Sequence, residues 1–261
     1  MLRSIWHYRI FILSSIFADL RGRYARSKLG ALWFILHPFA QALIFAIVLS
    51  EVLGARLPGV DDASAYPVYL LAGMSAWTLF TEILNRTMTV FLDFAGVIKK
   101  IAFPKIALPI IVMGTAVINH VILLVAIAVV STALGYKPGV VWLILPALSL
   151  MVALLGFSLG LICGVLNVFS RDVGQVMSIV LQLWFWLTPI VYPIGIVPAS
   201  FQWLVRLNPM THITGGYQDI IVYGRAPDLL GVGVVCALGL VVLVASYVLF
   251  KRAQPDLIDA L

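Results

Sequence analysis

Residues 140–168 read VVWLILPALSLMVALLGFSLGLICGVLNV, a run with no charged residue, fenced by Lys137 on one side and Arg171 on the other. A hydrocarbon core of about 30 Å crossed at 1.5 Å per residue needs about 20 such positions, so this stretch is long enough to span a bilayer. The pattern repeats along the chain. Apolar runs bounded by charge, Pro or Gly also fall at about 32–53, 68–90, 106–135, 173–192 and 229–250, which predicts an all-α integral membrane protein with six transmembrane helices. Composition agrees: of 261 residues 62% are hydrophobic and 11% charged, with mean hydropathy +1.09. A soluble domain carries about 25% charge, so a water-soluble globular fold and a disordered chain are both excluded. Six spans leave short loops and no room for a second domain of ordinary size.

The run at 68–90 is the weakest, because it holds Glu82, Asn85 and Arg86. A charge at mid-helix costs roughly 2.5–3.5 kcal/mol, while each strongly apolar residue returns only about 0.3–0.6. Its apolar residues therefore do not cover two central charges. Glu82 and Arg86 lie toward one end and four apart, where they can pair along the helix and snorkel. This span is expected to depend on its neighbours. The pair itself either lines an aqueous path or simply closes on itself. Asn119 and His120, inside the third run, are read as interhelical hydrogen-bonding residues in preference to a proton relay. Gly156, Gly160 and Gly164 form a small-residue ridge that predicts close helix packing.

Orientation follows from Lys and Arg. Twelve fall before the first span, in the second-to-third and fourth-to-fifth loops and at the C-terminus; four, Arg56, Lys137, Arg206 and Arg225, fall on the opposite side. That asymmetry predicts both termini in the cytoplasm. It also accounts for the formal charge of +6 as topology, with no nucleic-acid partner. Residues 1–30 form a unit ahead of the spans at 31–261. Leu2, Ile5, Trp6, Ile10, Leu13, Phe17 and Leu20 recur at three- and four-residue spacing, which predicts an amphipathic helix along the cytoplasmic interface, preferred over a cleavable signal peptide. A basic segment with Arg21, Arg23, Tyr24 and Arg26 follows.

Between the fifth and sixth runs, residues 193–228 are too apolar for an ordinary loop and too broken by Pro193, Pro198, Pro209 and Pro227 to span. A short helix is expected over 200–207. Asn208 followed by Pro209 reads as an N-cap with proline at the first helical position, opening a second helix to about Val222. Together they predict a re-entrant or interfacial hairpin on the far side of the membrane, placed like a gate.

Catalytic signatures are missing. There is no phosphate loop, no complete dinucleotide fingerprint and no zinc-protease motif, and the four histidines are scattered. The chain is expected to bind no metal or cofactor and to be a transport subunit, not an enzyme. Asp61 and Asp62 read as a solvated turn, and Cys163 and Cys236 as packing residues. Aromatics are the remaining chemical resource: Tyr66, Tyr69, Trp77, Phe80, Trp184, Phe185, Trp186 and Tyr192 gather toward the far-side ends of the second and fifth spans. An interfacial belt explains at least half of them. Trp184-Phe185-Trp186 covers nearly all faces of a helix, however, so some rings face the protein or its lumen. Aromatic faces there suit the apolar faces of sugars. Trp77, Glu82, Arg86, Trp184, Trp186 and Tyr192 are the substrate-path candidates.

Several segments carry a family resemblance. They are Arg23-Tyr24-Ala25-Arg26-Ser27-Lys28-Leu29-Gly30-Ala31-Leu32-Trp33 with Pro38, Ile98-Lys99-Lys100-Ile101-Ala102-Phe103-Pro104, Ser170-Arg171-Asp172-Val173, Leu181 through Pro193, and Leu207-Asn208-Pro209-Met210-Thr211. In this order they resemble the permease subunit of type-2 ABC exporters of lipid-linked polysaccharide, the family that moves O-antigen, capsule or teichoic acid. The resemblance implies a homodimer bound to two cytoplasmic ATPase subunits that hold ATP and Mg, in the bacterial inner membrane. It implies that residues 96–103, with Gly96, Val97, Ile98, Lys99, Lys100, Ile101 and Phe103, form a coupling helix whose apolar residues seat in the ATPase. It makes Pro198, Asn208 and Pro209 part of the gate hairpin. Capsule, teichoic acid, or a drug or small lipid remain alternative cargoes to O-antigen. A stand-alone glycosyltransferase would need an acidic cluster on a cytoplasmic loop, where only Asp93 and Asp172 stand.

Overall fold

The computed structural model describes residue 6 and residues 8–24, 28–30, 32–47, 57, 62, 64–100 and 103–260. Among them the regular elements are all helical: α1 (Arg9–Tyr24), α2 (Leu32–Ala46), α3 (Ala65–Asp93), α4 (Ala95–Lys100), α5 (Ala107–Ala133), α6 (Leu145–Phe169), α7 (Asp172–Leu187), α8 (Ala199–Leu207), α9 (Pro209–Ile221), α10 (Leu229–Ala253) and α11 (Asp256–Ala260). A 3-10 turn, Val140–Ile144, leads into α6. Among the described residues, four segments are long and apolar enough to cross a membrane: α3, α5, the turn with α6, and α10. The protein is thus a helical integral membrane protein.

α3 is the axis of the fold. Nearly three quarters of its most apolar window (72%) is buried, against 17% for α10, and α6, α5, α9 and α2 all pack on it. Its burial by neighbours is what offsets Glu82 and Arg86. On α6 the glycine ridge lies directly against it: a Cβ at Gly156 would stand 3.0 Å from the Phe80 carbonyl oxygen, and one at Gly164 would stand 2.8 Å from that of Thr87. Without side chains between them, the two backbones touch.

Two of the expected spans differ from their outlines. The first run, 32–53, is described only through residue 47, so its far end lies outside the described residues. The fifth, expected over 173–192, is helical only to Leu187, 16 residues in all, or about 24 Å at the α-helical rise. Thr188 leaves the helix at φ −99°, ψ 131° because the ring of Pro189 disfavours helical geometry in the residue before it. The backbone that follows is buried: Thr188 and Ile190 are fully covered and Val191 nearly so.

Irregular backbone at depth survives only with partners, and α3 supplies them. The Tyr66 hydroxyl donates to the Val191 carbonyl at 2.6 Å, and that of Tyr69 to Tyr192 at 3.2 Å. From α9, Gln218 Nε2 donates to the Pro189 carbonyl at 3.1 Å. Tyr66 and Tyr69 are therefore interior donors, not rings of an interfacial belt.

Beyond the break, α8 and α9 form the two helices expected from the Asn208-Pro209 signal. Asn208 Oδ1 accepts from the Met210 amide at 3.0 Å, and Pro209 holds the first turn. Asp228 caps α10 in the same way, accepting from Leu230 and Gly231 at 3.2 Å each.

Candidate functional site

Between α2 and α7, with α3 as its floor, runs a groove of about 430 Å³. His37 and Gln41 face it from α2, Thr78, Thr81 and Asn85 from α3, and Ser178 and Gln182 from α7, with the rings of Trp77 and Phe185 in its wall. The spacing explains the geometry. Residues three, four and seven apart share one helix face, so 74, 77, 78, 81 and 85 form one stripe and 178, 181, 182 and 185 another. Polar side chains on buried membrane helices are costly unless they meet water or one another; here seven of them open onto one space. Sequence reasoning picked Trp77 from this set and missed the polar stripes, although the i, i+4 recurrence of His37 with Gln41 and of Ser178 with Gln182 was a usable signal.

The other aromatics behave differently. Trp77 meets Trp184 edge-on at 6.4 Å and Phe185 at 5.7 Å, and Trp184 meets Phe80 at 5.2 Å. This cluster joins α3 to α7. Trp184 then turns its polar edge outward: Nε1 donates to Asn208 Oδ1 at 2.8 Å, Asn208 Nδ2 donates to Thr188 Oγ1 at 2.8 Å, and Thr188 Oγ1 donates to the Trp184 carbonyl at 2.8 Å. The ring of bonds fastens the start of α9 to the end of α7. Trp186 is 55% exposed, and its carbonyl accepts from the Tyr192 hydroxyl at 2.9 Å. Neither Trp184, Trp186 nor Tyr192 lines the groove.

Glu82 and Arg86 lie off the groove too. Arg86 Nη1 is 3.6 Å from Glu82 Oε1, but its strong contact is Nη2 to Asp19 Oδ2 on α1, at 2.6 Å. Asn119 Nδ2 donates to Glu82 Oε1 at 3.4 Å. A chain of four polar side chains thus ties α1 to α3 and α5. It pairs charges that a bilayer would otherwise penalise. No local signal marks Asp19, since its partner lies 67 residues away. His120 is also interhelical: its Nε2 is 2.9 Å from the Tyr217 hydroxyl and 3.2 Å from Ser149 Oγ, so α5, α6 and α9 share one buried polar knot.

At the end of α3 that leads into α4, Ile12 and Ile16 of α1 pack on Ala107 and Ile111 of α5. Trp6 stays 71% exposed, with the Arg9 guanidinium 5.0 Å from its ring centre. Arg21 is exposed, and the Arg23 and Tyr24 backbones close α1; Arg26 lies outside the described residues. In α4, Gly96, Val97, Lys99 and Lys100 are exposed. Ile98, however, is buried in the protein's own core, and Phe103 packs against Phe11 of α1 with ring centres 6.0 Å apart. These two are therefore not free to enter a partner's cleft, as the sequence suggested, because the core and α1 already cover them. Phe94 and Val97 remain as the exposed apolar pair. Ile101 lies outside the described residues. On the opposite side, Asp62 accepts from the Ser64 amide at 2.9 Å and from the Tyr136 hydroxyl at 2.8 Å; the Ser64 bonds, then Tyr136, hold its carboxyl below its usual range.

Membrane-spanning helices packed on a glycine-sealed axis, with a hydrogen-bonding groove on that axis's other side and an exposed short helix at its end, define a polytopic helical membrane protein. A family model described as "ABC-2 type transporter" matches residues 12–222, and the chain belongs to that family. It is 26% identical to the O-antigen export system permease protein RfbA of Myxococcus xanthus, over all of this chain and 99% of that protein. It is 27% identical to a protein of the same name from Klebsiella pneumoniae over 79% of this chain and 78% of the relative. Identity to the polysialic acid transport protein KpsM of Escherichia coli is 20% over the full length of both.

Proposed function

We propose that this chain is the membrane-spanning subunit of an ATP-driven exporter that carries lipid-linked polysaccharide, O-antigen in the first place, from the cytoplasm to the periplasm. Two copies pair across the outward faces of α2 and α7 and work with two copies of a separate ATPase that binds ATP and Mg. Six spans place both termini in the cytoplasm of a bacterial inner membrane, α4 with Phe94, Val97, Lys99, Lys100 and Ile101 meets the ATPase, and α8 and α9 form a re-entrant gate.

The observation that carries this reading is the groove: hydroxyl, amide and imidazole groups beside aromatic rings, at membrane depth, suit a hydrated sugar chain. Its flanks support the pairing. α7 buries only Leu181 within the protomer, leaving Val176, Ile179 and Leu183 exposed for a second copy. The O-antigen permeases among the relatives favour that cargo; the polysialic acid transport protein supports capsular polymer as the second reading.

Removing the chain from its host tests the function. Surface O-antigen is expected to disappear while lipid-linked polymer accumulates inside, and the wild-type chain should restore export. Val97→Asp or Ile101→Asp should insert normally and fail to restore it. Unchanged surface polysaccharide in the deletion strain would overturn the proposal.

A further inference from the structure

Resting on the polysaccharide-export reading, we infer that the groove selects for an uncharged glycan backbone, so that the exported polymer carries no carboxylate or phosphate in its repeating unit. Among the described residues that line it, none is Lys, Arg, Asp or Glu. This is not for lack of nearby charges. Arg86 directly follows Asn85 on α3, yet its guanidinium turns away to Asp19 and Glu82. This cation, next in sequence to a lining residue, is thus held off the groove by two carboxylates. A polyanion passing through would shed water from its charges and meet, among the described lining residues, no lysine or arginine in return, and unpaired charges in a low-dielectric setting are heavily penalised. Hydroxyls lose nothing comparable. Thr78 offers donor and acceptor alike, Thr81 and Ser178, whose hydroxyls donate to the Trp77 and Gln175 carbonyls, offer acceptors, Asn85 and Gln182 add amides, and Trp77 and Phe185 present faces to the apolar side of a sugar ring. The proposal separates the two cargo classes named among the relatives, since a sialic acid polymer is anionic at every residue.

Two measurements on the full chain in its host test it. First, the polymer retained in the deletion strain is isolated and its repeating unit assayed for uronic acid, sialic acid and phosphate; none is expected. Second, Gln182→Lys and Gln182→Glu are compared with Gln182→Asn by quantifying surface polymer, with membrane levels of the chain measured in parallel. Both charged variants should lower export at least about fivefold at equal membrane level, because an added charge is costly inside a membrane protein whatever its sign. The asparagine variant should stay near wild type. An acidic repeating unit, or export raised by lysine and lowered only by glutamate, would overturn the neutral-glycan inference and leave the exporter reading standing. Absence of any retained polymer together with normal surface polysaccharide would overturn both.

Discussion

α3 has two neighbours that treat it in opposite ways. Against α6 it is sealed: at Gly160 a Cβ would come within 2.8 Å of Thr87 Cβ and 2.9 Å of the Leu84 carbonyl oxygen, so nothing fits between the helices. Against α7 it is open, and the gap is lined by threonine, serine and amide groups. The sealed side is closed by the glycines of α6, set against Phe80, Ile83, Leu84 and Thr87 of α3, and the open side is lined by residues whose side chains hydrogen-bond. One helix therefore packs tightly on one face and lines an open groove on another.

The largest effect should come from breaking the sealed side. Gly160→Leu overpacks a backbone contact, and since extra methylenes in a packed core cost about 1–3 kcal/mol, and more where backbone stands in the way, the variant is expected to be degraded or to melt well below wild type in detergent thermal scans. Gly160→Ala should show a smaller loss in the same direction.

Next comes the clamp on the charges that are kept off the open side. Arg86→Ala takes the shared counter-charge from Asp19 and Glu82; a hydrogen bond to a charged group is worth about 1.5–3 kcal/mol. Asp19→Asn combined with Arg86→Gln should recover much of the loss, and a double-mutant cycle on melting temperature measures the coupling. Additive single effects would mean that the α1–α3 tie is not energetic.

The fastening of α7 to α9 ranks third. Asn208→Ala removes an N-cap worth typically about 1 kcal/mol together with the bonds from Trp184 and to Thr188. Export should fall with little loss of protein, and Trp184→Phe should reproduce part of the defect by keeping the ring while deleting its donor. Smallest of all should be Trp186→Ala, since that ring neither lines the groove nor packs in the core. Export near wild type at unchanged protein level is expected; a large export defect would place this tryptophan in the path after all, contributed to the opposing protomer.

Residues with local causes were the legible ones. The Asn208-Pro209 cap, the glycine ridge and the apolar runs that became α3, α5, α6 and α10 each depend on a few neighbouring positions, and each stands where the sequence put it. Pro189 was equally visible and was underweighted: hydropathy continues through Tyr192, but the residue before a proline does not stay helical. The interior roles of Tyr66 and Tyr69 were out of sight for a related reason, since their partners are carbonyls freed by that break more than a hundred residues later. Asp19 was beyond reach, as nothing near it anticipates Arg86. The groove sits between these cases. Its stripes obey helical spacing, but only the approach of α2 and α7 to α3 reveals that three unremarkable polar faces share one opening.

The early end of α7 bears on the barrier itself. The energy needed to carry a hydrated chain across hydrocarbon grows with the thickness of the apolar slab, about 30 Å in an ordinary bilayer. Along the wall formed by α7 the helix gives out after 16 residues, and the peptide carbonyls of Pro189, Val191 and Tyr192 take over, bonded to polar side chains. The helical apolar wall formed by α7 is thus roughly four residues, or about 6 Å, shorter than that of a full-length span.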